Sequence, residues 1–365
     1  MSVADTAPPA AQGGPGGPGG PGGNGVPAHA RLLMLTNGKR VSQVVYALAE
    51  VGVADALAQG RTRVPEIAEA VGVDAGALRR LLRCAASVGV FTLDDEGRVG
   101  FTEMAEALRA DAPNSQRDMI LFNGSEVVNR PYGEIVTALR TGRPVFDDIF
   151  GADFFSYLEE NPESGRLFDR AMSRMSAATT RLLLDACDFG RFGSVVDVGG
   201  GQGLFLAELL ARHPGVRGTL VDRPEVVAES AANFAEKGVA ERAEAVGGDF
   251  FGELPAGRAA YVLKAVLHDW DDGPAGAILG AVRAAMRGDP DARLVVLEHV
   301  VAPGDRWDQG KFLDIDMMLR FGGRERDLAE WRALFAASGF ELVSAPEAGR
   351  WAVLECRLAD GARTD

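Results

Sequence analysis

From about Leu32 to Ala110, apolar residues recur at spacings of three and four, as in "SQVVYALAEVGVADAL". That period predicts amphipathic helices. "VPEIAEAVGVDAGALRRLLRCAASVGVFTLDDEGRVGFT" predicts helix, turn, helix and a short β-hairpin around Asp95, Glu96 and Gly97, a winged-helix outline. Residues 111–185 continue as helices. "RPYGEIVTALRTG" ends at a glycine, and "FFSYLEENPESGRLFDRAMSRMSAATTRLLLDAC" is a long helical stretch broken at Pro162. From about Phe192 the pattern changes. Short apolar runs ("SVVDVGG", "RGTLVD", "AEAVGGDFF", "AAYVLKAVLHDW", "ARLVVLEHVV") alternate with amphipathic helices, and "ELVSAPE" and "RWAVLECRL" close the chain. Buried strands followed by helices predict a Rossmann-like, doubly wound α/β sheet, preceded by a mainly helical winged-helix-like domain. The expected boundaries are a tail at 1–27, a helical domain at 28–115, a helical linker and pocket wall at 116–185, and the α/β domain at 186–365.

Composition narrows this picture. The 365 residues are 47% hydrophobic and carry a net charge of −14. A nucleic-acid binder needs a basic face. The second winged-helix segment does offer Arg79, Arg80 and Arg83, but the wing carries Asp94, Asp95 and Glu96, which repel phosphate. A helical module for packing or dimerisation is therefore expected, with a DNA-binding regulator as the weaker reading. The tail "GGPGGPGGPGGNG" has nothing to bury and is expected to be disordered. Cys84, Cys187 and Cys356 form no CxxC pair, so buried thiols are expected, with no zinc site or disulfide framework. No apolar run is long enough for a membrane span and no secretory signal is evident, which makes the cytoplasm the expected location.

The candidate chemistry falls at strand ends, where ligands of such sheets bind. "VVDVGGGQG" holds Gly199, Gly201 and Gly203 in a G-x-G-x-G spacing. The dinucleotide pattern wants G-x-G-x-x-G. Its third glycine is missing, which disfavours a nicotinamide dehydrogenase. Asp197 precedes the loop, and a carboxylate there suits a ligand with an ammonium group better than a pyrophosphate. The next strand ends in Asp222, the place of an acid that binds ribose hydroxyls. It also stands where it would cap a helix near Pro224. The third strand ends in Asp249 and Phe250, an amino-group acceptor beside a ring that either stacks on a base or fills the core. Three acids on three successive strand ends point to a nucleoside without phosphates.

"VVDVGGGQG", "LVDRPEVV", "GGDFFGELP", "LKAVLHDWDD" and "GGRERDLAEW", in that order, resemble the S-adenosylmethionine-dependent small-molecule O-methyltransferases. The similarity is to the branch of caffeate, isoflavone and acetylserotonin enzymes and bacterial natural-product enzymes. It spans about Leu32 to the C-terminus, and "LLRCAASVGVF" resembles that family's dimerisation domain. The resemblance implies S-adenosylmethionine as cofactor, S-adenosylhomocysteine as product, a homodimer formed through the N-terminal domain, and a small aromatic substrate. It implies that Gly199 and Gly201 admit the methionine part with Asp197 near its charged end. Asp222 would hold the ribose, and Asp249 and Phe250 the adenine. Lys264 would contact the cofactor, and Ser176 would reach its methionine carboxylate.

Methyl transfer from a sulfonium needs an aligned acceptor and a way to remove its proton. Of four histidines, His268 in "LHDWDD" lies just past a strand end, where an imidazole near neutrality suits proton removal from a phenol. Glu298 and Glu325 resemble the family's partners of that base. Asp269 flanks it, Trp270 packs on the cofactor or in the core, and His299 points to the opposite face from Glu298. Tyr132, Met172, Met175, Met318 and Phe321 are either pocket wall or plain core. The expected function is O-methylation of an aromatic hydroxyl, with His268 as general base and no metal. The alternatives are C- or carboxyl-methylation, and decarboxylation or hydroxylation on the same scaffold.

Overall fold

The computed structural model describes residues 26–359, apart from the side chains of Ala177 and Ala178. The Gly/Pro-rich tail up to Gly25 lies outside the described residues. The chain divides between Arg109 and Ala110 into two units.

The N-terminal unit runs through helices Ala28–Leu35, Gly38–Glu50, Val53–Ala58, Val64–Val71 and Ala75–Ser87, then an antiparallel hairpin of β1 (Phe91–Leu93) and β2 (Val99–Phe101). Asp74 starts the last of these helices by accepting the Ala77 N–H at 2.7 Å, an N-cap that satisfies an otherwise orphaned donor. Leu78, Leu82 and Ala85 of that helix are buried, at the spacing the sequence predicts. Arg79, Arg80 and Arg83 are exposed. At the hairpin turn Arg98 is already paired with Asp94 at 2.7 Å and Glu96 at 3.2 Å, leaving an acidic tip. The first helix buries none of its residues, and Leu32, Leu33 and Leu35 are each at least 66% exposed. An uncovered apolar helix of this kind marks a contact surface.

The second unit begins with a helical layer that ends in the 25-residue helix Pro162–Ala186. Pro162 starts this helix, where its missing N–H is no loss, and the preceding helix Phe154–Glu160 stops before it. The sheet follows, with β3 (Ser194–Val198), β4 (Arg217–Asp222), β5 (Ala243–Gly247), β6 (Ala260–Lys264), β7 (Arg293–His299), β8 (Phe340–Ser344), β9 (Glu347–Ala348) and β10 (Trp351–Leu358). The strand order is β5-β4-β3-β6-β7-β10-β8, with β9 also on β10. The first five strands are parallel, and β10 runs antiparallel between β7 and β8.

Helices cover both faces of the central parallel strands, which is why β3, β6 and β7 are mainly apolar instead of alternating, whereas the edge strand β5 is largely exposed. Val196, Leu263 and Val296 pack on one face against Ile278, Leu279, Trp331 and Phe335. Their neighbours Val195, Val262 and Val295 pack on the other against Leu184, Phe205 and Leu209. From β3 the strand order departs in both directions. The loops after β3 and β6 therefore diverge and leave a crevice at the strand ends. Among the described residues, no helix is long and apolar enough to cross a membrane.

Candidate active site

The glycine loop sits at that crevice. Gly199 has φ +69°, and a Cβ there would stand 2.8 Å from the Val266 side chain, so the loop is pressed against the segment that carries His268. Gly201 has φ +61° and nothing within 4 Å of where a Cβ would be, so its backbone is open to an approaching ligand. Asp222 does not cap the following helix, whose N-cap is Arg223. Its carboxylate accepts from the Gly201 N–H at 2.8 Å and the Arg223 N–H at 2.8 Å, pinning the loop. Asp249 accepts from the Phe251 N–H at 2.9 Å. Phe250 is partly buried against the core and meets Trp270 edge-on, with ring centroids 6.1 Å apart.

Asp197 is fully buried, and neither of its carboxylate oxygens has a hydrogen-bond partner. Burial pushes its pKa up to about 7, opposed by the nearby Lys264 ammonium and assisted by Asp222. A sealed carboxylate without donors is costly, and a cationic or N–H-bearing ligand would relieve it. Lys264, at the end of β6, donates to Ser176 Oγ at 3.0 Å and lies 5.4 Å from the centre of the Trp351 ring. Desolvation pulls its pKa down against the attraction of Asp197 and Glu298. An open loop backbone, an unpartnered buried acid, a ribose-type acid and a ring beside a strand end together fit a nucleoside amino acid.

The next residue, Ala265, has φ +54°. A non-glycine residue held there costs about 1–3 kcal/mol and needs support from its surroundings. That support comes from Glu298, whose Oε1 accepts from the N–H groups of Val266 at 3.0 Å, Leu267 at 2.9 Å and, more loosely, His268 at 3.4 Å. Glu298 therefore builds the turn on which His268 stands. Its other oxygen, Oε2, lies 3.6 Å from His268 Nδ1 and has no hydrogen bond.

Glu325 makes the direct contact to the ring, with Oε1 2.8 Å from His268 Nδ1. Glu325 is held by its own N–H, which donates to Asp314 at 2.8 Å. The preceding loop closes tightly on the histidine. Arg324 N–H donates to the His268 carbonyl at 2.9 Å, and a Cβ on Gly323 would lie 2.2 Å from that carbonyl, so only glycine fits. Arg326, fully buried, donates to the carbonyls of Leu267 and Trp270 and to Asp272. The structure thus brings His268, Glu298 and Glu325 together as a buried set. Nδ1 is engaged by acids, and Nε2 faces Asp269 at 3.5 Å. Desolvation disfavours the imidazolium, but Glu298, Asp269 and Glu325 outweigh it and raise the ring's pKa to about 10. Burial likewise raises the Glu298 carboxyl to about 7, against the pull of His268.

The expected pocket residues do not form one group. Met172 and Phe321 pack in an aromatic cluster with Phe122, Phe154 and Phe168. Met318 packs in a separate small cluster with Ala138, Val145 and Leu319. Met175 is half-buried. Tyr132 is 40% exposed, and its hydroxyl donates to Asp316 at 2.9 Å. His299 does point away from Glu298, and its ring lies on Trp351 with centroids 4.6 Å apart. Cys187 and Cys356 are buried, while Cys84 is partly exposed. A cavity of about 440 Å³ between helices Pro162–Ala186, Leu204–Arg212 and Ser230–Glu236 has none of the His268 set in its lining.

Sequence reasoning missed Arg326, Asp314 and the strained Ala265. Arg326 and Ala265 each had a signal, because they lie within the "GGRERDLAEW" and "LKAVLHDWDD" motifs.

Residues 132–341 match the family model described as the O-methyltransferase domain, and residues 33–111 match the O-methyltransferase dimerisation domain. Phenazine O-methyltransferase PhzM of Lysobacter antibioticus is 37% identical over 333 residues, covering 91% of this chain and 97% of that protein. The 8-amino-8-demethylriboflavin N,N-dimethyltransferase of Streptomyces davaonensis is 38% identical over 337 residues, covering 92% and 96%. Among solved structures, NcsB1, an O-methyltransferase from neocarzinostatin biosynthesis in complex with S-adenosylmethionine and 2-hydroxy-5-methyl naphthoic acid, superimposes with a TM-score of 0.77 at 35% identity, covering 87% of this chain and 95% of that one. A strand-end crevice built for a nucleoside amino acid, a buried histidine flanked by acids and these matches along both units agree: the chain belongs to the O-methyltransferase family.

Proposed function

We propose that this protein transfers the methyl group of S-adenosylmethionine to a hydroxyl, of phenolic type, on an aromatic natural product, and that His268 is the general base. The observation that carries this reading is the ring of His268, fixed through Nδ1 at 2.8 Å from Glu325, with Nε2 on the other edge of the ring, 3.5 Å from Asp269. Bound S-adenosylmethionine supplies an electrophilic methyl on a sulfonium. The chain's own residues do the rest. Asp222 holds the ribose hydroxyls, Asp249 and Phe250 the adenine, and Asp197, Gly199, Gly201, Lys264 and Ser176 the methionine part. Glu325 and Glu298 orient the imidazole and stabilise the charge it takes when the acceptor's proton arrives on Nε2. Met172 and Phe321 belong to the wall on the acceptor side.

Asp222→Ala removes a charged acceptor of two ribose hydrogen bonds and unpins Gly201. Cofactor affinity measured by calorimetry should fall by about 10²–10⁴-fold, because two charge-assisted bonds of about 1.5–3 kcal/mol each are lost. Unchanged affinity would refute the ribose role.

A second reading concerns the acceptor atom, because a relative of equal similarity is an N,N-dimethyltransferase. An aromatic amine attacks through a free lone pair and needs no base beforehand. His268→Ala would then leave turnover nearly intact.

The protein acts as a homodimer on this reading, supported by the match to the dimerisation domain and by the uncovered helix Ala28–Leu35. Leu32→Asp with Leu35→Asp should shift the species seen by light scattering from dimer towards monomer. A dimer that persists unchanged at micromolar concentration would place the contact elsewhere.

A further inference from the structure

Arg320 is the last residue of helix Gly310–Arg320, and it is only 7% exposed. A buried guanidinium normally satisfies its five donors with well-placed acceptors. This one does not. Its Nε reaches the Asp316 carbonyl at 3.4 Å, and Nη2 stands 3.4 Å from Asp316 Oδ1, an oxygen that already accepts the Tyr132 hydroxyl at 2.9 Å. Among the described residues, no acceptor pairs with Nη1. The guanidinium instead lies against ring faces, 5.3 Å from the centre of Phe321, 5.6 Å from Phe154 and 5.7 Å from Phe122. Such stacking leaves the planar edge of the group free to donate.

Its position connects it to the reaction centre. The chain leads from Arg320 through Phe321 and Gly322 to Gly323, where a Cβ would lie 2.4 Å from the Asp269 carbonyl carbon, and Asp269 is the acid that faces His268 Nε2 and attracts the Arg320 charge. Four residues further on, Arg324 binds the His268 carbonyl. The cation therefore stands in the aromatic cluster, on the segment that runs onto the backbone of His268 and Asp269.

We propose that Arg320 is an anion-recognition residue of the acceptor site, and that the acceptor is an aromatic ring bearing a carboxylate, held by paired N–H donation from the guanidinium while the Phe154 and Phe321 rings take the apolar face. Paired, charge-assisted donation is the geometry for which arginine is suited. Asp316 orients the guanidinium from behind and takes up only part of its donor capacity. This inference rests on the O-methyltransferase reading for the direction of the acceptor, and it is tested without methyl transfer.

The test compares equilibrium binding of 2-naphthoate and 2-naphthamide to the full-length protein, followed by tryptophan fluorescence and calorimetry. The two probes share ring and size and differ in charge. Wild-type protein should prefer the acid by about tenfold or more, the scale of one charge-assisted pair. Arg320→Met keeps much of the apolar stem and should erase the preference. Arg320→Lys keeps the charge without the fork and should retain a reduced preference, and it serves as the decisive variant if Arg320→Met fails to fold. Equal binding of acid and amide by wild type, or a preference that survives in Arg320→Met, would overturn the proposal. An equal loss of both ligands would do so too, because it would mean a strut for the aromatic cluster. A parallel titration with S-adenosylmethionine separates the two failures: no cofactor binding in wild type sinks the enzyme reading and leaves the acid-to-amide comparison standing.

Discussion

His268→Ala should lower turnover by about 10²–10⁴-fold, the range of a positioned general base, while affinity for S-adenosylmethionine stays nearly unchanged. The split follows from geometry. Asp197, Asp222 and Asp249, proposed to hold the cofactor, lie on or just after β3, β4 and β5, and Lys264 ends β6, whereas His268 stands on the turn beyond it and is assigned no cofactor contact. Removing the ring deletes no group assigned to the nucleoside. Alanine does leave Glu298 and Glu325 facing one another without a cation, so His268→Gln is the companion variant. It retains an N–H for Glu325 and has no basic nitrogen. Wild-type-like turnover in both variants would remove His268 from the chemistry.

The same residue sets a pH dependence whose sign is fixed by its neighbours. The three acids raise its folded-state pKa from 6.5 to about 10. Only the neutral ring accepts a proton, so in the substrate-free enzyme the competent fraction grows as pH rises towards that value. The rate should climb with pH across the neutral-to-alkaline range. Glu325→Gln should move the rise to lower pH, because it removes one of the charges that hold the proton. Stability runs the other way. A raised folded-state pKa means that the histidine's contribution is complete below 6.5 and lost as pH rises through about 10. Alkaline conditions thus favour activity while draining stability from the same cluster.

Glu298→Ala should be the most damaging substitution for the fold of the site. Glu298 is wholly buried and supports the backbone N–H groups of Val266 and Leu267, beside the strained Ala265. Breaking a buried charged pair by removing one partner costs about 3–5 kcal/mol, which corresponds to a melting-temperature drop on the order of 10 °C for a unit of this size. Glu298→Gln keeps a side-chain oxygen for those N–H groups and should recover most of the loss in thermal melts. It should not restore the ionic support of the imidazolium. If alanine and glutamine melt alike, and both like wild type, the turn does not depend on Glu298.

The α/β half was readable because its strands are buried on both faces, and "SVVDV" or "LVVLE" has no other stable home. Asp222, Asp249 and His268 were readable because such a sheet places polar residues at strand ends for ligands. Glu298 was readable only as a partner of the histidine. Its role as backbone acceptor depends on the conformation of Ala265, which no periodicity announces. Nothing in the sequence sets Arg320 apart from any basic residue at a helix end. Its burial among Phe122, Phe154 and Phe321 is created by segments far apart in the chain. The division of the methionines had the same origin: Met172 and Met318 are alike in sequence pattern but pack in different clusters.

Methyl transfer to an aromatic oxygen can be read directly from where the methyl group ends up. The most direct measurement incubates the protein with S-adenosylmethionine carrying a deuterated methyl group and a panel of phenolic, aromatic-amine and aromatic-acid acceptors, and locates the label in the product by mass spectrometry and NMR. The expected result is the intact labelled methyl on a phenolic oxygen, with release of S-adenosylhomocysteine and loss of product in His268→Ala. Label on nitrogen, carbon or a carboxylate, or full product formation by His268→Ala, would contradict it.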